Sequence, residues 1–581
     1  MLLLNKDTER LTDNLIEECL RRGDREHANA NLRGKSGEPF VYNEFIGSRA
    51  VTYKDTKRAQ EKSAAHRRQL LYKWDGALVS ASMNIPGAYK HFPLAALCFD
   101  ECGRAAETAL GAAGVSFTPQ RPLALNGFGA AAFYLIKDNP EDVKRLLCGV
   151  EDTHPLGRLF NLDVYTGYES NKKIGRADLG IKGRTCLLCD GQALDCVSGR
   201  RHAAGESVSR MLYIMWKWAR RNLAERVNAA AVRALCGELA ATPKPGLVDR
   251  HNSGAHADMD YFTFIDSIAE LLSYFQECAL TGFDCAASAI DSRLRGHGGG
   301  NGRDGDSANG RYGDGVGFGD RNGDRIGDRN GNGNNFSDHN GNGDDGEYGY
   351  GDAAGGNVNG CDCGCNGREA PPLLDTLRRA GKLAEARMSR VTSGVNTHKG
   401  LIFSLGIMCA AYGWLIRTKT VFTPDDLFNF IKDIAAPVMR DFKDINEENA
   451  KTNGERLYAQ CGVTGIRGEA AGGFANVRDY GLPTLRTMLQ RGYSMNDAGV
   501  AAFVSLLSHV EDTTIIHRSS MATLRDIQRA AADFTASRPS MSDIKKWASE
   551  TDLQFIERNI TSGGCADLLA ITFFIHLIFQ R

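Results

Sequence analysis

A short stretch in the middle of the chain, residues 242–260, concentrates side chains that could do chemistry. It carries two prolines, followed by Asp249, His251, His256, Asp258 and Asp260. Proline fixes φ and removes a backbone donor, so this stretch should form a rigid, non-helical loop ahead of a helix that starts near Phe262. Acids and imidazoles at a helix start are typical of a ligand or metal site. The alternative is an ordinary loop whose aspartates cap the helix.

A second candidate site precedes an almost wholly apolar helix predicted over 401–416. The residues before it are Asn396, Thr397, His398, Lys399 and Gly400. Free backbone N–H groups, the helix dipole and a lysine converge at such a helix start, which favours phosphate binding. The alternative is a helix cap made by Asn396 or Thr397. A cap leaves Lys399 unexplained, because its charge opposes the helix dipole.

Further polar side chains gather at the ends of predicted apolar helices in the second half. They are Asn453, Glu455, Arg467, Glu469, Glu511, Asp512, Arg518 and Asp567. The second half is therefore predicted to be a helical bundle whose polar residues lie at helix ends.

The first half offers a metal and phosphate pattern in 154–166. Asn161 and Asp163 should point to the same face of a strand, because strand side chains alternate. Two oxygen ligands beside Arg158 could hold Mg²⁺ and a triphosphate, since Mg²⁺ prefers oxygen ligands and shares its shell with phosphates. Lys90 follows a Pro-Gly turn where it could bind an anion. In a predicted charged helix over 55–74, Arg58, Arg67 or Arg68 could meet phosphate or an acidic partner protein. The alternatives are a polar sheet edge and a solvated helix face.

Three cysteines and a histidine form a possible zinc motif, Cys186, Cys189, Cys196 and His202. Three thiolates and an imidazole can bind structural Zn²⁺. The spacing from Cys189 to Cys196 is shorter than in common zinc modules. One alternative is phosphate binding by Arg200 and Arg201, which flank His202. The other is a set of reduced thiols packed in a small core.

The bulk composition indicates a multidomain protein of the cytoplasm. A length of 581 residues predicts two or more domains. The net charge of −1 argues against nucleic acid or an anionic membrane as a partner. The N-terminus reaches charged residues too early for a signal peptide, and the apolar run 568–579 is too short to span a bilayer. We therefore expect a soluble cytoplasmic protein with reduced thiols.

Strand-like and helix-like segments alternate over 51–215, which predicts a small α/β domain. Residues 216–581 should form an all-α helical bundle. The stretch 295–370 is almost entirely Gly, Asn, Asp and Arg, which predicts a disordered insertion. Residues 1–50 form a leader without an assigned structure.

Several motifs in the second half resemble the triphosphoribosyl-dephospho-CoA synthase family. They are TPKPGLVDRHNSGAHADM, GVNTHKGLIFSLG, TNGE, GIRGEA, EDTTIIHR and SGGCADLLA, within 225–295 and 370–581. In the first half, NIPGAYK, HPLGRLFNLDVY and RTCLLCDGQALDCVSGRRH resemble apo-citrate lyase phosphoribosyl-dephospho-CoA transferase, over about 50–210. The two families act in succession, so their fusion in one chain supports both resemblances.

The resemblance implies two reactions. In the second half, the ribose 2′-hydroxyl of 3′-dephospho-CoA attacks the anomeric carbon of ATP, and adenine leaves. In the first half, a serine of the citrate lyase acyl carrier subunit attacks the α-phosphorus of that product, and pyrophosphate leaves. Mg²⁺ is the expected cofactor, and a malonate decarboxylase carrier is an alternative acceptor. A nucleotidyltransferase-like sheet is expected for the first half, by analogy.

The resemblance also implies roles for the candidate residues. Glycosyl transfer needs a base for the hydroxyl and a proton for adenine. The candidate acids are Asp249, Asp258, Glu469 and Asp512, with Asp258 and Asp512 also as Mg²⁺ ligands. The expected nucleotide-binding residues are Lys244, His256, Asn396, His398, Lys399, Gly400, Arg467 and Arg518. In the first half, the expected nucleotide-binding residues are Lys90 and Arg158. Asp163 is the expected catalytic residue, and Asp163 and Asn161 are the expected Mg²⁺ ligands.

Two departures from the family pattern leave other functions open. Asn161 stands where the family has Asp, and Ser519-Ser520 stand where it tends to have Gly-Gly. A neutral amide oxygen is a weaker ligand for a hard cation, so the first half could be an inactive module that binds the carrier. The second half could instead be an ADP-ribosyl-type glycohydrolase that uses water at the same acid-lined site.

Overall fold

The first half is built on a five-stranded antiparallel sheet, as seen in a computed structural model that describes residues 48–125, 129–296 and 372–580. The strands are β1 (Ala77–Met83), β2 (Phe117–Ala124), β3 (Ala130–Ile136), β4 (Phe160–Thr166) and β5 (Lys172–Ile174), in the order β2-β3-β1-β4-β5. The strand predicted to carry Asn161 and Asp163 is confirmed as β4. Nearly all of the leader 1–50 and of the insertion 295–370 lies outside the described residues.

Helices cover the sheet on both faces. They are α1 (Tyr53–Tyr72), α2 (Pro93–Ala112) and α3 (Pro140–Thr153), and the short α4 (Ala193–Ser198) follows the sheet. Alternate residues of β1 face opposite sides, so Val79 and Ala81 enter the main core, while Leu78 packs in a smaller cluster with Leu71 of α1. Ser80 lies on the α1 side, where the sheet surface becomes polar.

A single long helix, α5 (Ala204–Ala240), runs from the first half into the second. Its buried residues include Met211 and Met215 near its start and Leu235 and Leu239 near its end. The predicted division between residues 215 and 216 falls inside α5, and it stays a prediction. The sheet and the bundle belong to one compact unit that excludes Ser292–Arg368.

Among the described residues of the second half, the regular secondary structure is all helical, as the sequence predicts. The helices are α6 (Tyr261–Gly296), α7 (Pro372–Val391), α8 (Lys399–Thr418), α9 (Pro424–Ala435), α10 (Asn453–Cys461), α11 (Gly465–Ala471), α12 (Leu482–Gln490), α13 (Met495–Leu507), α14 (Thr513–Arg518), α15 (Met521–Ala536), α16 (Met541–Glu557) and α17 (Gly563–Ile578). The segment 242–260 between α5 and α6 is a non-helical loop, which confirms the prediction from its prolines.

The central helix of the bundle is α8, which matches the apolar helix predicted over 401–416. By length and composition alone it could cross a membrane, with a mean hydropathy of 1.5. However, 72% of that stretch is buried inside the protein, and the core helix of a globular fold passes the same test.

Two candidate active sites

A cavity of about 610 Å³ lies in the helical half, where α8, α10 and α17 begin and where the loop 242–260 folds over them. Eight of the predicted residues line it: Lys244, His256, Asn396, His398, Lys399, Gly400, Arg467 and Glu469. The first N–H groups of a helix have no partner within that helix, and the helix dipole is positive at this end. The cavity wall therefore favours a negatively charged ligand such as a triphosphate.

Asp512 lies behind this wall and does not line the cavity. It is the N-cap of α14, and its Oδ1 accepts the backbone N–H of Thr514 at 2.9 Å. Its Oδ2 accepts the backbone N–H of Cys565 at 2.8 Å, in the first turn of α17. Asp512 thus joins the starts of two helices. Its predicted roles as an acid catalyst and Mg²⁺ ligand stay predictions, and neither oxygen is without a partner.

Three other predicted residues also lie off the wall. Asp249 is buried, and its Oδ1 accepts two N–H groups of its own loop. The side chain of Asp258 is 63% exposed, with its Oδ1 3.9 Å from Nδ1 of His256. Arg518 donates from Nη1 to the carbonyl oxygen of Ala255 at 2.9 Å. These contacts shape the loop that bears His256, whereas the predicted chemical roles of the three residues are untested.

Two side chains that line the cavity have buried polar atoms without a hydrogen-bond partner in the described part of the chain. They are Oε2 of Glu469 and Nε2 of His398. The other oxygen of Glu469 accepts from Asn476, and Nδ1 of His398 lies 2.7 Å from Oγ of Ser267. A buried polar atom without a partner is costly. Both atoms are therefore available to a bound substrate.

Burial sets the charge state of both groups. It raises the pKa of Glu469, and the nearby charge of Glu511 adds to this effect, while hydrogen bonds from Asn476 oppose it. Burial lowers the pKa of His398 to about 3, so its imidazole is neutral at pH 7. Glu469 can thus exchange a proton nearer to neutral pH than an ordinary glutamate, whereas His398 is a neutral hydrogen-bonding group.

The predicted cations at this site already have partners. Lys244 is buried in an ion pair with Glu238 and also donates to the carbonyl oxygen of Glu238 at 2.8 Å. Nζ of Lys399 lies 3.1 Å from Oε2 of Glu385, at a half-exposed position. The backbone N–H of Lys399 donates to Oδ1 of Asn396 at 3.2 Å. The N-cap residue of α8 is His398, whose side chain makes no capping hydrogen bond, so neither Asn396 nor Thr397 is the N-cap.

A second cavity, of about 430 Å³, lies between α1 and the polar face of the sheet. It is lined by the predicted residues Lys90, Asn161 and Asp163, together with Arg67. Arg158 does not line it, and its predicted phosphate contact is untested. Asn161 donates from Nδ2 to Oδ2 of Asp163 at 3.0 Å, which confirms that these side chains share a strand face.

Basic side chains surround the carboxylate of this second cavity. Oδ1 of Asp163 lies 2.8 Å from Nζ of Lys173 and 4.0 Å from Nζ of Lys144. Lys90 donates to the carbonyl oxygen of Ile85, and burial lowers the pKa of its ammonium group. An acid and an amide oxygen among lysines can hold a divalent ion together with phosphate groups.

Comparison with known proteins matches each half to a family. Residues 224–310 and 356–581, more than half of the chain, match the model of ATP:dephospho-CoA triphosphoribosyl transferase. The chain belongs to this family. Residues 52–218 match apo-citrate lyase phosphoribosyl-dephospho-CoA transferase. This transferase part lies N-terminal to the triphosphoribosyl transferase part in the chain. The fusion predicted from the motifs is confirmed.

Two relatives named CitXG align with most of the chain. The chain is 26% identical to a protein named CitXG from Haemophilus influenzae, over 77% of this chain and 79% of that protein. It is 27% identical to a CitXG protein from Leuconostoc mesenteroides, over 77% and 80%. A probable 2-(5''-triphosphoribosyl)-3'-dephosphocoenzyme-A synthase from Photobacterium profundum is 29% identical, over 61% of this chain and 88% of that one.

The triphosphoribosyl transferase cavity contains three acids that the predicted set of site residues omits, Asp567, Glu238 and Glu511. Asp567 borders the cavity but is otherwise enclosed by protein, so burial raises its pKa, and the charges of Glu238 and Asp512 raise it further. Burial also raises the pKa of Glu238, against the opposing charge of Lys244. The available sequence signal was a lone acid in an otherwise apolar helix segment.

Asp567 lies next to Gly400, at the helix start where the sequence predicts phosphate binding. A Cβ atom added at Gly400 would lie 2.1 Å from Oδ2 of Asp567, so the lack of a side chain there permits the contact. The carboxylate therefore lies against the first turn of α8, whose dipole favours its charged form, while burial opposes that form.

We predict that Gly400→Ala displaces Asp567 and lowers adenine release from ATP by roughly 10²-fold, because small displacements of a reacting group are costly. Gly381→Ala is the matched control, since a Cβ atom there would make ordinary contacts, the nearest at 3.4 Å. Adenine release is measured by chromatography at saturating substrates. Wild-type activity in Gly400→Ala would contradict the proposed contact.

We predict that Asp567→Asn makes the chain more stable at neutral pH while it lowers adenine release. A carboxyl group whose pKa is raised on folding makes the folded chain less stable as pH rises from the group's ordinary pKa, 3.8 here, through its folded pKa. Asn imitates the protonated acid and therefore avoids this loss of stability. The gain in melting temperature should shrink toward about pH 4. Circular dichroism without Mg²⁺ measures it, with the exposed Asp526→Asn as control. A lower melting temperature for Asp567→Asn at neutral pH would refute the argument.

Proposed function

We propose that the chain makes the prosthetic group of citrate lyase in the cavity of the helical half and attaches it at the cavity of the sheet. The proposal rests on Oε2 of Glu469, which has no hydrogen-bond partner among the described residues and lies at a cavity formed by helix N-termini in a chain of the triphosphoribosyl transferase family. The first product, 2′-(5″-triphosphoribosyl)-3′-dephospho-CoA, is the substrate of the second half.

In the first reaction, a bond forms between the 2′-oxygen of 3′-dephospho-CoA and the anomeric carbon of ATP. The bond from that carbon to adenine breaks, and its electrons leave with the base. We assign proton removal from the hydroxyl to Glu469, whose raised pKa suits this transfer. Asp567, with a pKa raised further by its acidic neighbours, is the candidate proton donor to adenine. His398 offers a neutral hydrogen bond.

The triphosphate would lie along the N-termini of α8 and α17, with Arg467 and Lys399 at the cavity wall. This part of the cavity also contains Glu511, whose carboxylate repels phosphate oxygens. A divalent ion would relieve that repulsion, because Mg²⁺ binds carboxylate and phosphate oxygens together. We therefore propose that Glu511 holds Mg²⁺, which would supply electrostatic stabilisation of the triphosphate.

In the second reaction, the serine oxygen of the acyl carrier subunit attacks the α-phosphorus, and pyrophosphate leaves. Positioning and electrostatics do most of the work in such transfers. We propose that Asp163 and Asn161 hold Mg²⁺ and that Lys90 and Arg67 contact the phosphates. A nucleotidyltransferase-like architecture for the first half, the division of the chain at 215/216 and a cytoplasmic location remain parts of this proposal.

Mass spectrometry of the full chain with ATP, 3′-dephospho-CoA and Mg²⁺ tests the proposal. Adenine and a triphosphoribosyl adduct are expected, and the acyl carrier subunit should then gain the phosphoribosyl-dephospho-CoA mass on a serine. Ribose triphosphate or ADP-ribose products would instead support the glycohydrolase alternative. Adduct formation without carrier modification would mean that the first half only binds the carrier.

We predict that Glu469→Gln lowers adenine release by about 10²–10⁴-fold, the usual contribution of a general base. In the wild type, kcat/KM should rise with pH through a pKa above the ordinary 4.5 of glutamate, because the base must be deprotonated. This limb should vanish in the variant. The exposed Glu447→Gln is the control. An unchanged pH limb in Glu469→Gln would assign the base to another residue.

We predict that Asp163→Asn lowers carrier modification by about 10²-fold or more, since metal contacts supply several kcal/mol to such reactions. Adenine release should be unchanged, because it occurs in the other cavity. Asn161→Asp should lower the Mg²⁺ concentration needed for transfer, because a carboxylate is the stronger ligand. Both rates are measured on the same preparation. Equal losses of adenine release and transfer in Asp163→Asn would contradict separate sites.

A further inference from the structure

Four metal-ligating side chains meet outside both cavities, in the loop that joins the sheet to α5. The Sγ atoms of Cys186, Cys189 and Cys196 and a ring nitrogen of His202 lie within 4.8 Å of one another. The Sγ atoms of Cys189 and Cys196 are 3.5 Å apart, and all three thiols are free. Nothing in either proposed reaction uses this cluster.

The backbone around the cluster is folded so that the thiols converge. The N–H of Cys186 donates to the carbonyl oxygen of Gly191 at 2.7 Å, which closes a tight turn around the first two cysteines. Within that turn, the N–H of Leu188 is directed at Sγ of Cys186, at 3.4 Å. The short helix α4 then presents Cys196 to the same point. Such N–H contacts favour a sulfur atom that carries negative charge.

The histidine of the cluster provides an independent indication of a ligand. Nε2 of His202 is buried and has no hydrogen-bond partner in the described part of the chain. A small core of reduced thiols would leave this nitrogen unsatisfied, at a cost in free energy. A metal ion among the three sulfur atoms would accept its lone pair.

We propose that Cys186, Cys189, Cys196 and His202 bind one Zn²⁺ ion as a structural site. Zn²⁺ prefers four tetrahedral ligands of this kind, at about 2.3 Å for sulfur, which puts two sulfur atoms roughly 3.8 Å apart. The 3.5 Å separation of two sulfur atoms in the structure is close to that value. Four protein ligands leave no open position, so the ion organises the loop and does not take part in the chemistry.

The site would hold the start of β4 in place through Arg184, which lies two residues before Cys186. Arg184 donates from Nη1 to the carbonyl oxygen of Phe160 at 2.7 Å and pairs with the buried Glu151. Phe160 directly precedes Asn161, which lines the cavity at the sheet. On the other side, His202 lies two residues before the start of α5. Loss of the ion should therefore disturb the phosphoribosyl transfer site before it affects the helical half.

Metal analysis of the full chain, purified under reducing conditions without chelators or a histidine tag, tests the proposal. We expect inductively coupled plasma mass spectrometry to find one zinc ion per chain. Substituted Co²⁺ should give thiolate charge-transfer bands and tetrahedral d–d bands. Cys189→Ser and His202→Gln should lower the zinc content, whereas Cys461→Ser, an exposed thiol outside the cluster, should not.

Three results would overturn the zinc site. They are a chain without stoichiometric zinc after Zn²⁺ is supplied, a disulfide between Cys189 and Cys196 in the reduced preparation, and zinc that persists in Cys189→Ser and His202→Gln. A zinc-selective chelator tests the structural role. The assay of carrier modification starts from preformed triphosphoribosyl product. After zinc removal, carrier modification should fall more than adenine release does. Unchanged carrier modification after full zinc removal would refute the structural role.

Discussion

Carboxyl groups held away from water beside helix N-termini are the feature on which the triphosphoribosyl transferase site depends. Asp567 lies against the first turn of α8 because residue 400 is glycine, and one oxygen of Glu469 has no hydrogen-bond partner in the part of the chain that the structure describes. Burial disfavours the charge of both groups, while the helix dipoles favour it. Burial prevails and raises the pKa of both groups, so each carboxyl group holds a proton at a higher pH than an ordinary carboxyl group does. The same arrangement costs stability, which is common at active sites.

The two halves belong to one compact unit, although their folds and their chemistry differ. The helical cavity activates a sugar carbon and needs proton transfer, so its acids are buried. The sheet cavity positions a phosphorus atom and needs charge neutralisation, so its single acid, Asp163, lies among lysines. The helix α5 belongs to both halves, and the Cys186–His202 loop joins it to the sheet. Fusion of the two activities places the product of one site on the same molecule as the other.

The sequence predicted most where the backbone alone dictates side-chain direction. Alternation along a strand placed Asn161 and Asp163 together, and the apolar period identified α8 with its polar start. The sequence predicted side-chain positions less well within the loop 242–260, because turns direct neighbouring side chains to different sides. His256 therefore lines the cavity, while Asp249 and Asp258 do not. The part played by Asp567 depends on the packing of α17 against α8, which no local pattern contains.

The most direct test of this account is a crystal structure of the full chain with Mg²⁺, 3′-dephospho-CoA and a carbocyclic ATP analogue, whose base cannot leave. The account predicts the triphosphate along the N-termini of α8 and α17, with the 2′-hydroxyl within hydrogen-bond distance of Glu469 and the adenine facing Asp567. A nucleotide bound outside this cavity, or bound within it with both carboxyl groups remote from the reacting atoms, would contradict the account.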